Sequence, residues 1–514
     1  MSRLISLFFI YSSALIFSCT PARKLAAVTN DGQIELNLLL VNDVYEIAPL
    51  SGGKEGGMAR VATLKKELLR GNPNTYLVMA GDFLSPSVYN SLQYEGKAVR
   101  GKQMVETMNA AGMNLAIFGN HEFDIKEAEL QNRINESDFQ WIASNTFHKE
   151  VNGEKPFAKT TTGEAFPLTY TMTIKDADGT TAKIGFLGLT LSANQAPYVV
   201  YKDALATAKE LYQGLKDSVD AVVAITHQFL RQDEQLAREI PGLAVILGGH
   251  EHNMKFEKIG NVYITKAHSN ARSAYIVKLH IDKLKKVVTT TPELRYLNDS
   301  IALDSTTNAV VQKWSSIAEK NYNLSGFDPH KIVIASGDSL DALEVNIRER
   351  PTNFSKIIIA AIAAAAPTAD VVLFNSGSIR LDDVLRPPIT QYDIIRTLPF
   401  GGSIKEADIT GRLLIDILDI GRKNLGIGGF LQFNKELTYD STNKQWKLNG
   451  LPIDAAKTYR AALPEFLLTG GETNLQFLKP SNPEVLKVYD APASVADPRS
   501  DVRIAIIRYM EKMK

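Results

Sequence analysis

The chain has 514 residues, 45% of them hydrophobic and 22% charged, with a formal net charge of zero. That length calls for two or more domains, and the balanced charge removes the counterion-release term that binding to a nucleic-acid polymer depends on. With a single cysteine, Cys19, no intrachain disulfide can form.

At the N-terminus, Arg3 precedes an apolar run from Leu4 to Phe17 that leads into Ser18-Cys19. The run is too short for a typical membrane span and has the layout of a signal peptide. The small residue before Cys19 resembles the lipobox of bacterial lipoproteins. That resemblance implies cleavage before Cys19 and acylation of the cysteine; the alternative is an ordinary cleaved signal with an incidental cysteine. Acyl chains would tether the mature protein to a membrane without spanning it. Residues 1–30 are therefore read as signal peptide and tether, and the expected location is a bacterial cell envelope, periplasmic or cell-surface.

The first predicted strand, Ile34 to Val41, ends in Asn42-Asp43-Val44-Tyr45. A glycine-rich loop, Gly52 to Gly57, precedes a helix at Ala59–Leu69, where Val61, Leu64, Leu68 and Leu69 share a face. The strand Tyr76–Ala80 ends in Gly81-Asp82. A helix over Lys102–Ala111 precedes an apolar run, Met113 to Phe118, that reads as a buried strand and ends in Gly119-Asn120-His121-Glu122-Phe123-Asp124. Residues 126–150 read as helix, strand and loop, and Pro156 to Thr190 as β-rich. After a helix at Ala204–Leu215, the strand Ala221–Ile225 ends in Thr226-His227. The strand Ala244–Leu247 ends in Gly248-Gly249-His250-Glu251-His252.

Five apolar strands thus each end in a metal-competent side chain: Asp43, Asp82, Asn120 with His121, His227, and His250 with His252. Strands alternating with helices imply an α/β sheet, whose sites lie at the carboxyl ends of strands. Four of the eight histidines occupy these ends; His148, His268, His280 and His330 are read as surface or satisfied core residues. A mixed Asp, Asn and His set suits two borderline or hard divalent ions bridged by one carboxylate. Two such ions can activate a water and clamp the oxygens of a phosphoryl group. An imidazole beside the amide ligand can move a proton, and Asp124 can hold it in one tautomer.

Residues 304–325 read as a linking helix with Val310, Val311, Trp314 and Ile317 on one face. A second α/β region follows. It offers Arg348, an alanine-rich helix at Ile357–Ala366, a strand at Val371–Phe374 ending in Asn375-Ser376-Gly377-Ser378-Ile379-Arg380, Phe400 beside Gly401-Gly402, and Phe466 upstream of Gly470-Gly471-Glu472. Guanidinium groups fit paired anionic oxygens, and two aromatic rings can sandwich a flat base. Taken singly, a phenylalanine near glycine is more often core and a lone arginine a solvated face.

Asp43-x-Tyr45, Gly81-Asp82, Gly119-Asn120-His121-Glu122-Phe123-Asp124, Thr226-His227 and Gly248-Gly249-His250-Glu251-His252 resemble the calcineurin-like metallophosphoesterases. Gly57-Met58-Ala59-Arg60 and the second half narrow the resemblance to the 5′-nucleotidase family. It implies a metallophosphoesterase β-sandwich flanked by helices over 31–303, and a C-terminal α/β nucleotide-binding domain over 326–514 that rotates about the linking helix. It implies two metal ions, such as manganese, zinc or magnesium. Asp43 and His252 would bind the first, Asp82 would bridge, and Asn120, His227 and His250 would bind the second. His121, paired with Asp124, would stabilise charge on the phosphate or protonate the leaving group, with an activated water as nucleophile. Arg348, Asn375 and Arg380 would contact the phosphate or ribose, and Phe400 and Phe466 would stack the base.

Four places depart from the family pattern; two are the loop Asn375-Ser376-Gly377-Ser378 and the run Asn353-Phe354-Ser355, which lack glycines the family often carries there. Tyr45 stands where the family has histidine: either it binds the first metal as a phenolate, favouring iron there, or it turns away. Glu472 stands where the family has aspartate for the ribose hydroxyls. The expected reaction is hydrolysis of nucleoside monophosphates to nucleoside and phosphate, with cyclic nucleotides or nucleotide sugars as further substrates. The alternatives are another phosphoester or sulfur-ester hydrolase on the same scaffold, or a non-catalytic nucleotide-binding lipoprotein. Oligomeric state is not readable.

Overall fold

A computed structural model describes residues 30–513, so the reading of Cys19 lies outside the described residues. The first half is a four-layered sandwich. One six-stranded sheet runs in the order Val287–Tyr296, Ser273–Asp282, Gln33–Val41, Thr75–Met79, Leu115–Ala116, Gln140–Trp141. The second runs Thr169–Lys175, Thr181–Thr190, Ala221–His227, Val245–Gly249, Val262–Lys266, Lys255–Ile259.

Strand Gln33–Val41 shows why the sheets face each other. Its alternate side chains Leu36, Leu38 and Leu40 pack with Phe186, Val223 and Leu247 between the sheets, while Leu39 and Val41 pack beneath the helices on the other face. Each such fully buried leucine contributes about 1.5–3 kcal/mol. Helices Met58–Gly71 and Lys102–Ala110 cover the first sheet, and Ala204–Leu215 and Leu230–Glu239 cover the second. Asp203 caps the helix Ala204–Leu215 by accepting a 2.7 Å hydrogen bond from the Ala206 N–H, worth about 1 kcal/mol.

Parallel register gathers the strand ends. Val41 lies beside Met79 and Met79 beside Ala116 in the first sheet, and His227 beside Gly249 in the second. Two local readings are corrected. Met113–Phe118 forms a strand only at Leu115–Ala116, because the neighbouring strand Gln140–Trp141 is equally short; Phe118 instead packs in an aromatic cluster with Phe123, Trp141, Phe157 and Phe166. Thr146–Glu150, read as loop, is a strand paired with Val199–Tyr201 and Gly153–Lys155.

The helix Ser305–Leu324, capped by Asp304, lays Val311, Trp314, Ala318 and Tyr322 into the interior. Trp314 Nε1 donates to Glu106 of the first half at 2.9 Å. Beyond it, a five-stranded sheet runs Leu431–Phe433, Val371–Asn375, Thr458–Pro464, Ile404–Thr410, Val485–Tyr489. Helix Gly411–Lys423 packs in its core. Helices Asn353–Ala365 and Val502–Met510 contribute to an apolar cluster continuous with that of the first half.

Candidate active site

The five strand ends meet at one edge of the sandwich. Asp43, Asp82 and His227 are fully buried, and a ligand atom from each lies within 4.8 Å of the others. His227 Nε2 is 3.0 Å from Asp82 Oδ2 and 4.0 Å from Asp43 Oδ1. His252 Nε2 is 3.6 Å from Asp43 Oδ1. Two glycines make the approach possible. A Cβ on Gly119 would sit 2.1 Å from Asp82 Oδ1, and one on Gly249 would sit 2.3 Å from the Ala80 carbonyl and 2.8 Å from His227 Nδ1.

Backbone strain is concentrated here. Asp43, Asp82 and His250 have φ of 52°, 56° and 84°, in the left-handed region that side-chain-bearing residues rarely adopt. Hydrogen bonds hold them there. Asp43 Oδ2 accepts from Asn42 Nδ2 at 2.7 Å and from the His250 N–H at 2.9 Å, joining the two sheets. Asp82 Oδ1 accepts from the His121 N–H at 2.8 Å.

Several donors fit a cation. The Asn120 side-chain oxygen is buried without a hydrogen-bond partner, an arrangement that otherwise costs free energy. His227 donates from Nδ1 to the Ala80 carbonyl at 2.8 Å, which turns Nε2 toward the carboxylates. Burial lowers the His227 pKa, but Asp82 and Asp43 outweigh it and push it up to about 10. The same negative field attracts a metal ion. His250, by contrast, is pushed down to about 3 by burial and by the neighbouring His227, so it stands as a neutral donor.

Tyr45 does not turn away. Its hydroxyl lies 3.0 Å from His252 Nε2, 3.3 Å from Asp82 Oδ2 and 3.5 Å from Asp43 Oδ1. Asn270 fixes the loop by accepting from the Tyr45 and Glu46 N–H groups at 3.0 and 3.1 Å. Burial, then the Asp82 and Asp43 charges, hold the phenol well above its ordinary pKa.

His121 sits at the mouth of the cluster. Its Nδ1 is 2.8 Å from Asp124 Oδ2. Asp124 is held in turn by the Ser85 hydroxyl at 3.0 Å and by the Asn194 amide. Sequence reasoning missed Ser85 and Asn194, which carry no motif. It also missed Glu122, a buried carboxylate that accepts hydrogen bonds from the backbone N–H groups of Asp82, Phe83, Leu84 and Gly119 at 2.6–3.0 Å. Its sequence signal was its place in the Gly119–Asp124 motif, a place to which no role was attached. Lys266 is equally hidden: its ammonium donates to the Gln228 and Gly249 carbonyls at 2.6 and 2.9 Å, tying the His227 and His250 loops together.

A cleft of about 1560 Å³ opens from His121 between the two halves. Asn120, His121 and Asp124 line one wall; Asn375, Arg380, Phe400, Phe466 and Glu472 line the other. Phe400 and Phe466 are 65% and 43% exposed, so neither is a core residue. Arg380 Nη2 is 3.2 Å from His121 Nε2. Asn375 Nδ2 donates to Glu472 Oε2 at 2.6 Å, so the longer glutamate side chain reaches the cleft wall. Arg348 pairs with Glu344 at 2.5 Å and is not among the lining residues. The other four histidines stand apart, with Glu127 beside His148, Ser273 beside His268, Gln33 beside His280, and Glu319 near His330.

Residues 36–254 match the family model described as calcineurin-like phosphoesterase, and residues 333–479 match that of the 5′-nucleotidase C-terminal domain. The trifunctional nucleotide phosphoesterase protein YfkN of Bacillus subtilis is 26% identical over 509 residues, covering 90% of this chain and 33% of that protein. The chain therefore spans about a third of that relative's length. The 5′-nucleotidase of Bos taurus is 24% identical over 509 residues, covering 85% of this chain and 83% of its own length. Among solved structures, a 5′-nucleotidase precursor from Thermus thermophilus shares the fold with a TM-score of 0.69 at 20% identity, over 94% of this chain and 97% of that one. With a calcineurin-like phosphoesterase domain followed by a 5′-nucleotidase C-terminal domain, the chain belongs to the 5′-nucleotidase family of calcineurin-like metallophosphoesterases.

Proposed function

We propose that the chain hydrolyses nucleoside monophosphates to nucleoside and phosphate, with two divalent metal ions. The observation that carries this reading is the convergence of a cation-competent donor set, with Asn120 Oδ1 unpartnered, on a cleft whose far wall offers Arg380 and two exposed phenylalanines. Asp43, Tyr45 and His252 would hold one ion, Asn120, His227 and His250 the other, with Asp82 between them. Bound ions would draw charge from the phosphoryl oxygens and make water a better nucleophile.

The chain's own residues do the rest. Arg380 presents a planar fork beside His121, suited to the non-bridging oxygens. Asp124 holds His121 by Nδ1, so that Nε2 faces the cleft and its proton can pass to the departing nucleoside oxygen. Phe400 and Phe466 flank the base, and Glu472 accepts from the ribose hydroxyls. Cyclic nucleotides and nucleotide sugars present the same phosphoryl group and are further candidates.

Phosphate release from a nucleotide panel, run with manganese, zinc and magnesium, tests the reading. Turnover of AMP is expected; turnover of another ester but no nucleotide would overturn the substrate assignment. His121→Ala is expected to lower kcat about 10²- to 10⁴-fold with little change in nucleotide affinity; unchanged kcat contradicts its role.

The Arg3-to-Cys19 layout supports acylation of Cys19 and attachment to the bacterial cell envelope. Among the described residues no helix is long and apolar enough to cross a membrane. Mass spectrometry of the mature N-terminus, with Cys19→Ala as control, tests the anchor: an unmodified cysteine, or cleavage elsewhere, excludes it.

A further inference from the structure

Residues 380–383 of the second domain press on the first domain at three points. Arg380 Nη2 lies 3.2 Å from His121 Nε2, Asp382 Oδ2 lies 2.9 Å from His252 Nδ1, and Asp383 pairs with Arg272. The segment is anchored on its own domain. Asp382 Oδ1 accepts a 2.6 Å hydrogen bond from the Glu344 N–H, and the Asp383 carbonyl accepts one of 3.1 Å from the Ala342 N–H. Asp382 has φ 45°, a left-handed conformation uncommon outside glycine. Such a conformation persists where the surroundings over-determine it. Here one carboxylate oxygen is tied to the second domain's backbone and the other faces an imidazole of the first.

The two candidate ligands His227 and His252 differ in how they are oriented. His227 takes its partner from its own domain, the Ala80 carbonyl. His252 turns Nε2 toward Tyr45 and Asp43, while its buried Nδ1 faces the carboxylate of Asp382 without a straight hydrogen bond. A carboxylate at the far nitrogen of a metal-binding imidazole fixes its ring and raises its basicity. No such carboxylate reaches His252 Nδ1 from the first domain among the ion pairs of the described residues.

We propose that Asp382 is a positioning residue for His252, supplied across the domain boundary, so that cation binding at His252 and seating of the 380–383 segment on the first domain are linked. The inference rests on the reading of His252 as a metal ligand and deepens it: the cation affinity of that site depends on how the two domains are arranged. Linkage is reciprocal, so a cation at His252 favours the seated segment as much as the seated segment favours the cation.

Manganese binding to the full chain, measured by calorimetry and electron paramagnetic resonance, tests this in four variants. Asp382→Asn is expected to weaken one manganese site about 10- to 100-fold, and Asp382→Glu to recover part of the loss. Asp383→Asn, which removes a seating contact but leaves the carboxylate at His252 in place, is expected to weaken binding less than Asp382→Asn does. His252→Ala is expected to lose the site. Unchanged affinity in Asp382→Asn, with the site lost in His252→Ala, overturns the proposal alone. Unchanged affinity in both overturns the ligand assignment, and the proposal with it. Equal weakening by Asp383→Asn shows a general interface effect and also overturns it. Hydrogen exchange in the unaltered chain needs no variant: the amides of 380–383 and of Glu344 are expected to exchange more slowly with manganese bound, and exchange indifferent to manganese refutes the linkage.

Discussion

Replacing Glu122 by glutamine should loosen the two ligand loops that it joins. In the folded chain Oε2 accepts from the Asp82 and Gly119 N–H groups at 2.8 and 2.6 Å, and Oε1 from those of Phe83 and Leu84 at 2.7 and 3.0 Å. Four donors converge on two acceptor atoms in a fully buried site. A glutamine keeps one oxygen and turns N–H donors toward the other pair. Each buried donor left without a partner costs about 1–3 kcal/mol, so the pair costs about 2–6 kcal/mol. Burial, then the Asp82 charge, push the Glu122 carboxyl up to about 7, and the measurement belongs well above that pH, where the unaltered chain carries the carboxylate. The assay is hydrogen exchange at the amides of Asp82, Phe83, Leu84 and Gly119. The lower bound of about 2 kcal/mol corresponds to roughly 30-fold faster exchange at the orphaned pair. A fall in manganese affinity should accompany it, because Asp82 and Asn120 sit on the same loops. Glu127→Gln, at an exposed carboxylate paired with His148, should change stability by no more than about 1 kcal/mol. Unchanged exchange at all four amides in Glu122→Gln would refute the reasoning.

Three further outcomes follow from the same geometry. Burial lowers the His121 pKa, but the Asp124 and Asp82 charges outweigh it and hold it above its ordinary 6.5. A proton donor acts below its pKa, so the alkaline limb of kcat should lie above 6.5 and should move to lower pH in Asp124→Asn; a limb that stays in place contradicts the pairing. Because burial and two carboxylates keep Tyr45 a phenol through neutral pH, phenolate at that pH requires a cation beside it. Iron-loaded protein should show phenolate-to-iron absorption that Tyr45→Phe lacks, and a colourless iron-loaded wild type would rule out phenolate ligation. Phe466→Ala should raise KM about 2- to 13-fold, the equivalent of about 0.5–1.5 kcal/mol of stacking, with kcat nearly unchanged; a loss confined to kcat would remove Phe466 from the base site.

The strand ends were legible because apolar runs of strand length stop abruptly at polar residues, and the α/β alternation says on which edge those residues lie. Neighbourhood was not legible. Asp82 and His227 are far apart in the chain. The register of Val41 with Met79 sets the Asp43 and Asp82 loops side by side in one sheet, and that of His227 with Gly249 sets the His227 and His250 loops side by side in the other. The packing of the two sheets brings the pairs together. Strand length failed where pairing rather than hydrophobicity decides it. Met113–Phe118 is apolar throughout most of its length, yet the ladder on Gln140–Trp141 supports two residues. Thr146–Glu150 is mostly polar, yet it is a strand because two partners flank it.

What sequence could not supply was the support beneath the ligands. Glu122 bonds to backbone N–H groups, and Asn194 and Lys266 bond in part to backbone carbonyls; a backbone partner leaves no trace in residue identity. The same holds across the domains. Tyr392 of the second half donates to the buried Glu46 of the first, and that carboxyl is pushed up to about 7 by burial, against the Tyr392 hydrogen bond and the Arg396 charge. Arg272 meets Asp383, and His252 meets Asp382. Apart from His252, each partner alone is an ordinary polar residue, in a loop or, for Tyr392, in the short helix Gln391–Thr397. They acquire a role only when two separately folded surfaces are brought together. On the proposed reading the site divides in two: a candidate ligand set gathered by the strand register and sheet packing of one sandwich, and one member of it, His252, whose orientation depends on where the second domain stands.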